Sequence, residues 1–262
     1  MLFGKRVILK SIVIFLCLIA VLVHTSLAYD SYSYADFDIS NEDVQRSGFE
    51  DCDFAQVVTK TLLSVISSIR QDIKHYNDVR LRIEHCKYIW FCQFDSRWAN
   101  VPYGCGTIGD SGCGVCATTV ILDCLLERED TPDQISNRMF EFFDGWQPYY
   151  LPGAGTIHSG MVAFLQSYDL NVMYYDDIFE AMNFVCDHQG ESCIYISSRG
   201  PFLTIDGIEY WTGGHVIAAY LVDDDCVYVQ DSGRWDTCNV RYTRDQFASL
   251  SSSATAILVV SK

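Results

Sequence analysis

Cys113 stands between Gly112 and Gly114 in the turn Gly109-Asp110-Ser111-Gly112-Cys113-Gly114, directly ahead of an apolar run from Val115 to Leu126 that reads as a helix. The first turn of a helix carries N–H groups without intrahelical partners and the positive end of the helix dipole, and both favour thiolate over thiol. Flanking glycines let a substrate backbone come close. The chemistry that suits such a residue is nucleophilic attack by sulfur, which needs a base within hydrogen-bond reach, a group to orient that base, and donors for an oxyanion.

The histidines beyond the first 28 residues are His75, His85, His158, His188 and His215. His215 is set apart by the preceding Gly213-Gly214 and the apolar, β-rich run that follows it, whereas the other four fall in helices or polar loops. Strand register supplies the orienting group. If Asp223, Asp224 and Asp225 form a three-residue hairpin loop, Val222 faces Cys226, His215 faces Gly233, and Asp231 lies diagonally beside His215 on the same face. A two-residue loop would turn Asp231 to the other face, leaving it only to end a strand before the Ser232-Gly233 turn. The three aspartates themselves read as a solvated turn rather than a calcium site. For the oxyanion, Gln93 lies 20 residues ahead of Cys113, and the backbone N–H of Cys113 is a second donor.

Several elements must hold these residues. Thr131-Pro132-Asp133-Gln134 supplies an N-cap, a first-turn proline and a capping-box partner, so a helix is predicted to run to about Phe143. Ile157–Tyr168 and Ile178–Asp187 read as further helices. Strands are predicted at Leu170–Tyr175, Cys193–Ser198, His215–Val222, Cys226–Gln230 and Ala254–Val260. Helices come first and strands cluster late, an α+β pattern with the cysteine in a helical half and its partners in a sheet half.

Ahead of this region, Lys5, Arg6 and Lys10, the apolar stretch Ser11–Val23 and Ser26-Leu27-Ala28 form the three parts of a secretory signal peptide over residues 1–28. Its apolar core is shorter than the roughly 20 residues that a membrane span needs. Residues 29–53 hold eight Asp or Glu against one Arg and read as a flexible acidic extension. Residues 54–87 open with Phe54, Val58, Leu62, Val65, Ile66, Ile69, Ile73 and Tyr76 at helical spacing, an amphipathic helix that is either a removable pro-segment or part of the fold. The main domain is placed at 88–262.

Removal of residues 1–28 takes away three positive charges and no negative ones, so the net charge goes from −16 to −19. Such a surface repels nucleic acid and anionic membranes, and no stable membrane association is expected once the signal is gone. Eleven cysteines remain: Cys52, Cys86, Cys92, Cys105, Cys113, Cys116, Cys124, Cys186, Cys193, Cys226 and Cys238. In an oxidising compartment this odd number predicts up to five disulfides and at least one unpaired thiol.

The run Gln93-Phe94-Asp95-Ser96-Arg97-Trp98-Ala99-Asn100-Val101-Pro102-Tyr103-Gly104, followed by Gly106-Thr107-Ile108-Gly109 and Ser111-Gly112-Cys113-Gly114, resembles the active-site half of the bacteriocin-processing-peptidase-like family, cysteine peptidase family thirty-nine. The Gly-His strand and the strand ending in Asp231 resemble its second half, so the resemblance spans roughly Tyr88 to Val260. It implies a papain-like fold with Cys113 as nucleophile, His215 as base, Asp231 as orienting residue and Gln93 in the oxyanion hole. Peptide or protein substrates follow, with no cofactor and no metal. Val115-Cys116 stands where related sequences often carry Pro-Thr or Pro-Ala, and the transporter domains fused to leader-cleaving members are missing. Double-glycine leader processing is therefore not carried over.

Other readings compete. Gly109-Asp110-Ser111-Gly112 imitates the nucleophile motif of trypsin-like serine peptidases, but about 150 residues follow it and the all-β pattern is lacking. Cys113-Gly-Val-Cys116 has the spacing of a redox or zinc pair, yet no second close pair and no βαβ context accompany it. A cysteine amidase or acyltransferase would use the same residues on another acyl donor. A non-catalytic, disulfide-rich secreted binding protein would leave the co-occurrence of Gln93, Cys113, His215 and Asp231 as coincidence. Trp98, Trp211 and Trp235 are candidates either to line a cleft or to fill the core. The sequence reading is a secreted or endolysosomal thiol hydrolase cutting peptide or related amide bonds.

Overall fold

The structure, a computed structural model, describes the backbone of residues 51–152 and 155–262, and the side chains of these except 51–59 and 62. The signal pattern and nearly all of the acidic extension lie outside the described residues. The chain forms two compact units, one ending at Asp78 and the other running from Val79 to Lys262. Helix α1 spans Asp51–Cys86, ten residues beyond the apolar repeat that ends at Tyr76. In the first unit Ile66 and Ile73 of that repeat are exposed; in the second, Val79 and Cys86 are buried.

In the second unit, α2 (Cys113–Leu126), α3 (Pro132–Phe142) and α4 (His158–Gln166) precede a six-stranded sheet. Its strands are β1 (Asn171–Tyr174), β2 (Ser192–Ser198), β3 (His215–Val222), β4 (Cys226–Asp231), β5 (Val240–Thr243) and β6 (Ala256–Ser261). Helix α5 (Ile178–Asp187) joins β1 to β2, and α6 (Arg244–Ser249) follows β5. The spatial order is β5-β4-β3-β2-β6-β1, and every neighbouring pair is antiparallel.

Both faces of the sheet are covered, so its strands are apolar at nearly every position. Tyr195, Val216, Ala218, Leu258 and Val260 point to the layer of α2, α3 and α4, where they meet Val115, Ile121, Ile135 and Met161. Ile194, Ile217, Ala219, Val227 and Val259 point the other way, to Ile178, Met182 and Val185 of α5 and Phe247 of α6. Helix α2 is buried almost all round, with each residue from Gly114 to Leu125 enclosed. Ile121 has no exposed surface, and Ile121→Ala is expected to cost about 2–5 kcal/mol in denaturant unfolding through the cavity it leaves.

The Thr131 capping box forms as read, Thr131 N–H donating to Gln134 Oε1 at 3.0 Å. Strand β5 and helix α6 were not anticipated. A second capping box, Thr243 with Gln246, starts α6 and was the available signal.

Among the described residues none of the expected disulfides forms. The ten described cysteines are all free thiols. Cys86, Cys92, Cys116, Cys124 and Cys193 are 1–2% exposed, packed as small apolar side chains, a role that cysteine fills without pairing. Parity therefore gives no reason to single out Cys113; its surroundings do.

Candidate active site

Cys113 is the first residue of α2, and the reason lies just upstream. Thr107 caps a single helical turn, Ile108–Ser111, through a capping box with Asp110. Gly112 then redirects the chain into α2. A Cβ on Gly112 would lie 2.5 Å from the Ile108 carbonyl oxygen, and one on Gly114 would lie 2.3 Å from Thr156 Cγ2. The glycines beside the cysteine are thus required by internal packing rather than by approach of a ligand. Open space of the kind expected beside a substrate occurs instead at Gly213 and Gly214, where an added Cβ would have no neighbour within 4 Å.

His215 opens β3 and is 5% exposed. Its Nε2 meets Asp231 Oδ1 at 2.6 Å, and the Cys113 thiol lies close enough to influence the imidazole's charge. With Nε2 committed to Asp231, the nitrogen left for Cys113 is Nδ1. Burial alone would depress the imidazole pKa. The charge and hydrogen bond of Asp231, joined by the influence of nearby Cys113, outweigh burial and push it up to about 10.

The juxtaposition of His215 and Asp231 depends on register. Near the site the pairing is the expected one: Asp231 opposes Ile217, which places it diagonally across from His215 on the same face. The route to it differs. At the turn Val222 pairs with Val227 rather than Cys226, so four residues form the loop, closed by Asp223 N–H donating to the Cys226 carbonyl at 2.8 Å. That loop by itself would shift the whole hairpin by one residue and turn Asp231 away. A β-bulge between the Leu221–Tyr228 and Ala219–Val229 pairs leaves Tyr220 unpaired and restores the register. Consequently Tyr220 and Leu221 both pack on the α2 side of the sheet.

Gln93 links the two halves. Its backbone N–H donates to the Ser232 carbonyl at 3.0 Å, its Oε1 accepts from Ser232 Oγ at 3.4 Å, and its Nε2 donates to the Gly109 carbonyl at 3.0 Å. One Nε2 hydrogen is left beyond the Gly109 bond. The chain thus brings Gln93, the Cys113 turn and the end of β4 together around His215.

Four further groups were not found by sequence reading. The Tyr210 hydroxyl donates to Asp231 Oδ2, and Gly233 N–H donates to Oδ1 at 2.7 Å. Trp90 Nε1–H donates to the Asp231 carbonyl oxygen at 2.7 Å. Phe202 presents its ring to His215 at 5.2 Å between centroids, nearly perpendicular. None of these has a sequence signature, because each depends on loops folding back onto the sheet. Of the three tryptophans, Trp98 is core, its Nε1–H donating to the Cys92 carbonyl, while Trp211 and Trp235 are each 61% exposed. Cys116 lies fully buried on the turn of helix after Cys113, where burial raises its thiol pKa strongly.

Gly233 is a sensitive point. A Cβ there would sit 2.8 Å from His215 Nε2 and 3.2 Å from Asp231 Oδ1. Gly233→Ala is expected to push the imidazole off Asp231, seen as a shift of the His215 ring resonances, while the circular dichroism spectrum stays that of the parent.

No family model matches the chain, and no curated protein matches it in sequence. Among solved structures it is similar to a C39-like peptidase from Bacillus anthracis, with 15% identity, a TM-score of 0.43, and coverage of 67% of this chain and 96% of that one. It is also similar to the peptidase domain of Streptococcus ComA, a bifunctional ABC transporter involved in a quorum-sensing pathway, with 10% identity, a TM-score of 0.38, and coverage of 57% and 90%. The fold is α+β: a buried helix headed by a cysteine packs on an antiparallel sheet that carries the histidine and aspartate.

Proposed function

We propose that the chain is a thiol hydrolase of peptide or related amide bonds, in which Cys113 is the nucleophile, His215 the proton carrier, Asp231 the group that orients the imidazole, and Gln93 an oxyanion donor. The observation that carries this reading is the imidazole of His215, bonded at Nε2 to a buried carboxylate and lying close enough to the Cys113 thiol to feel its charge. An imidazole held between these two groups can take the thiol proton, giving a thiolate beside an imidazolium.

The sulfur attacks the substrate carbonyl carbon, and the carbonyl electron pair moves onto oxygen, where the remaining Gln93 Nε2–H and the Cys113 backbone N–H stabilise it. Collapse of this intermediate breaks the C–N bond as the imidazolium gives its proton to the leaving amine. A thioester remains on Cys113. Neutral His215 then takes a proton from water, hydroxide adds to the thioester, and the carboxylic acid departs as sulfur recovers its proton. Asp231 keeps the Nε2 tautomer fixed throughout. The signal pattern of residues 1–28 favours action in the secretory or endolysosomal lumen, on peptides or proteins.

The test is alkylation of the purified chain with iodoacetamide at low stoichiometry, followed by peptide mapping without reduction. Cys113 is expected to be modified well before Cys105, the exposed cysteine that lacks a histidine partner. Modification of Cys113 no faster than Cys105, or recovery of Cys113 in a disulfide, would overturn the proposal.

A further inference from the structure

Asp231 has no exposed surface, and both its carboxylate oxygens are engaged. Oδ1 accepts from His215 Nε2 and from Gly233 N–H, while Oδ2 accepts from the Tyr210 hydroxyl. Tyr210 belongs to neither β3 nor β4. It ends the small hairpin in which Phe202–Leu203 pairs with Glu209–Tyr210. The other arm of that hairpin carries Phe202, whose ring is edge-on to His215 and tilted against the Tyr210 ring at 5.4 Å. One two-stranded hairpin therefore touches both the imidazole and the carboxylate.

The hairpin is itself anchored. Ile205 N–H donates to the Asp236 carbonyl at 2.8 Å, and the Arg234 guanidinium lies over the Tyr210 ring at 5.4 Å. Burial, followed by the nearby Asp231 charge, raises the Tyr210 hydroxyl pKa far above its ordinary value, so it remains a donor at every working pH. A second oxygen buried without a donor is destabilising, and the carboxylate would relieve this by rotating or admitting water.

We propose that Tyr210 is a positioning residue of this site: its hydroxyl fixes the plane of the Asp231 carboxylate, so that Oδ1 holds Nε2 and the other imidazole nitrogen is aimed at Cys113. The proposal rests on the reading of Cys113 and His215 as the reacting pair. Gly233 and His215 both bond Oδ1 and so leave the orientation of Oδ2 open. Tyr210 closes it. The role is indirect, since nothing in the geometry brings the tyrosine hydroxyl to the thiol.

Tyr210→Phe keeps the ring and its packing against Phe202 and removes only the hydroxyl. The rate of Cys113 alkylation at neutral pH and kcat for peptide hydrolysis are each expected to fall about tenfold, with KM held within about twofold. The alkaline limb of the alkylation profile is expected to move to lower pH, because a loosened carboxylate holds the His215 proton less firmly. Cys113, Cys92, Tyr242 and Arg234, the other ionisable groups that sense this pair, are unchanged by the substitution. The low-field proton resonance of His215 Nε2–H is expected to shift upfield or broaden.

In an Asp231→Asn background, Tyr210→Phe should cause no further loss. An unchanged limb and alkylation rate in Tyr210→Phe would overturn the proposal, as would a limb moving to higher pH or an equal further loss in the Asp231→Asn background. A wild-type Cys113 that alkylates without pH dependence would instead overturn the reading of the site on which the proposal stands.

Discussion

Cys113→Ala is expected to abolish peptide hydrolysis, a loss on the order of 10⁴-fold or more, while leaving the fold intact, because the side chain is only half-buried at the start of its helix. His215→Ala should slow alkylation of Cys113 at neutral pH by about 10²–10⁴-fold, the range over which a positioned base acts. The two readouts separate attack from turnover. Intact-mass measurement after brief exposure to a slowly hydrolysed ester should show one acyl adduct on the wild type and none on Cys113→Ala. Residual hydrolysis above one part in a hundred in Cys113→Ala would remove the cysteine from the mechanism.

Asp231→Asn carries the second large effect, with kcat expected to fall on the order of 10²–10⁴-fold. Asparagine is nearly isosteric and its oxygen still accepts from Nε2, so the imidazole keeps its place. What is lost is the charge. Burial, which opposes protonation of His215, then acts without its main counterweight, and the alkaline limb of the rate profile is expected to move well below the native value of about 10.

The sign for stability follows from the same shift. A histidine raised from 6.5 to about 10 in the folded state stabilises the fold fully below pH 6.5, and that contribution is lost as pH rises through about 10. The difference in unfolding free energy between wild type and Asp231→Asn is therefore expected to be largest below pH 6.5 and to shrink towards pH 10. Chemical denaturation at several pH values measures it. A difference that grows with pH would contradict the assignment of the shift to Asp231.

Much of this was legible because local rules and tertiary demands agree. Helix α5 begins where Asp177 caps it and ends at Asp187, as read, and β3 has the predicted bounds His215–Val222. Strands buried on both faces announce themselves by continuous apolar runs. Cys113 and His215 stood out because each is joined to glycine at the edge of a regular element. What escaped is long-range or parity-dependent. The two-residue pairs at Phe202–Leu203 and Glu209–Tyr210 are too short to leave a periodic signal, and with them went Tyr210. The hairpin loop was misjudged by one residue, and the error was invisible at Asp231 because the bulge cancels it. Cysteine parity misled because burial alone can occupy a cysteine.

The bulge at Tyr220 therefore acts as a phase shifter between turn and site. A three-residue turn with no bulge and a four-residue turn with one deliver Asp231 to the same place, since both set it opposite Ile217. Neither device is specified on its own; only their combined parity is. Loop and bulge can thus drift together, and a family of such chains can vary at Asp223–Cys226 without moving the carboxylate, provided that every residue gained at the tip is absorbed before the strand reaches Ala219.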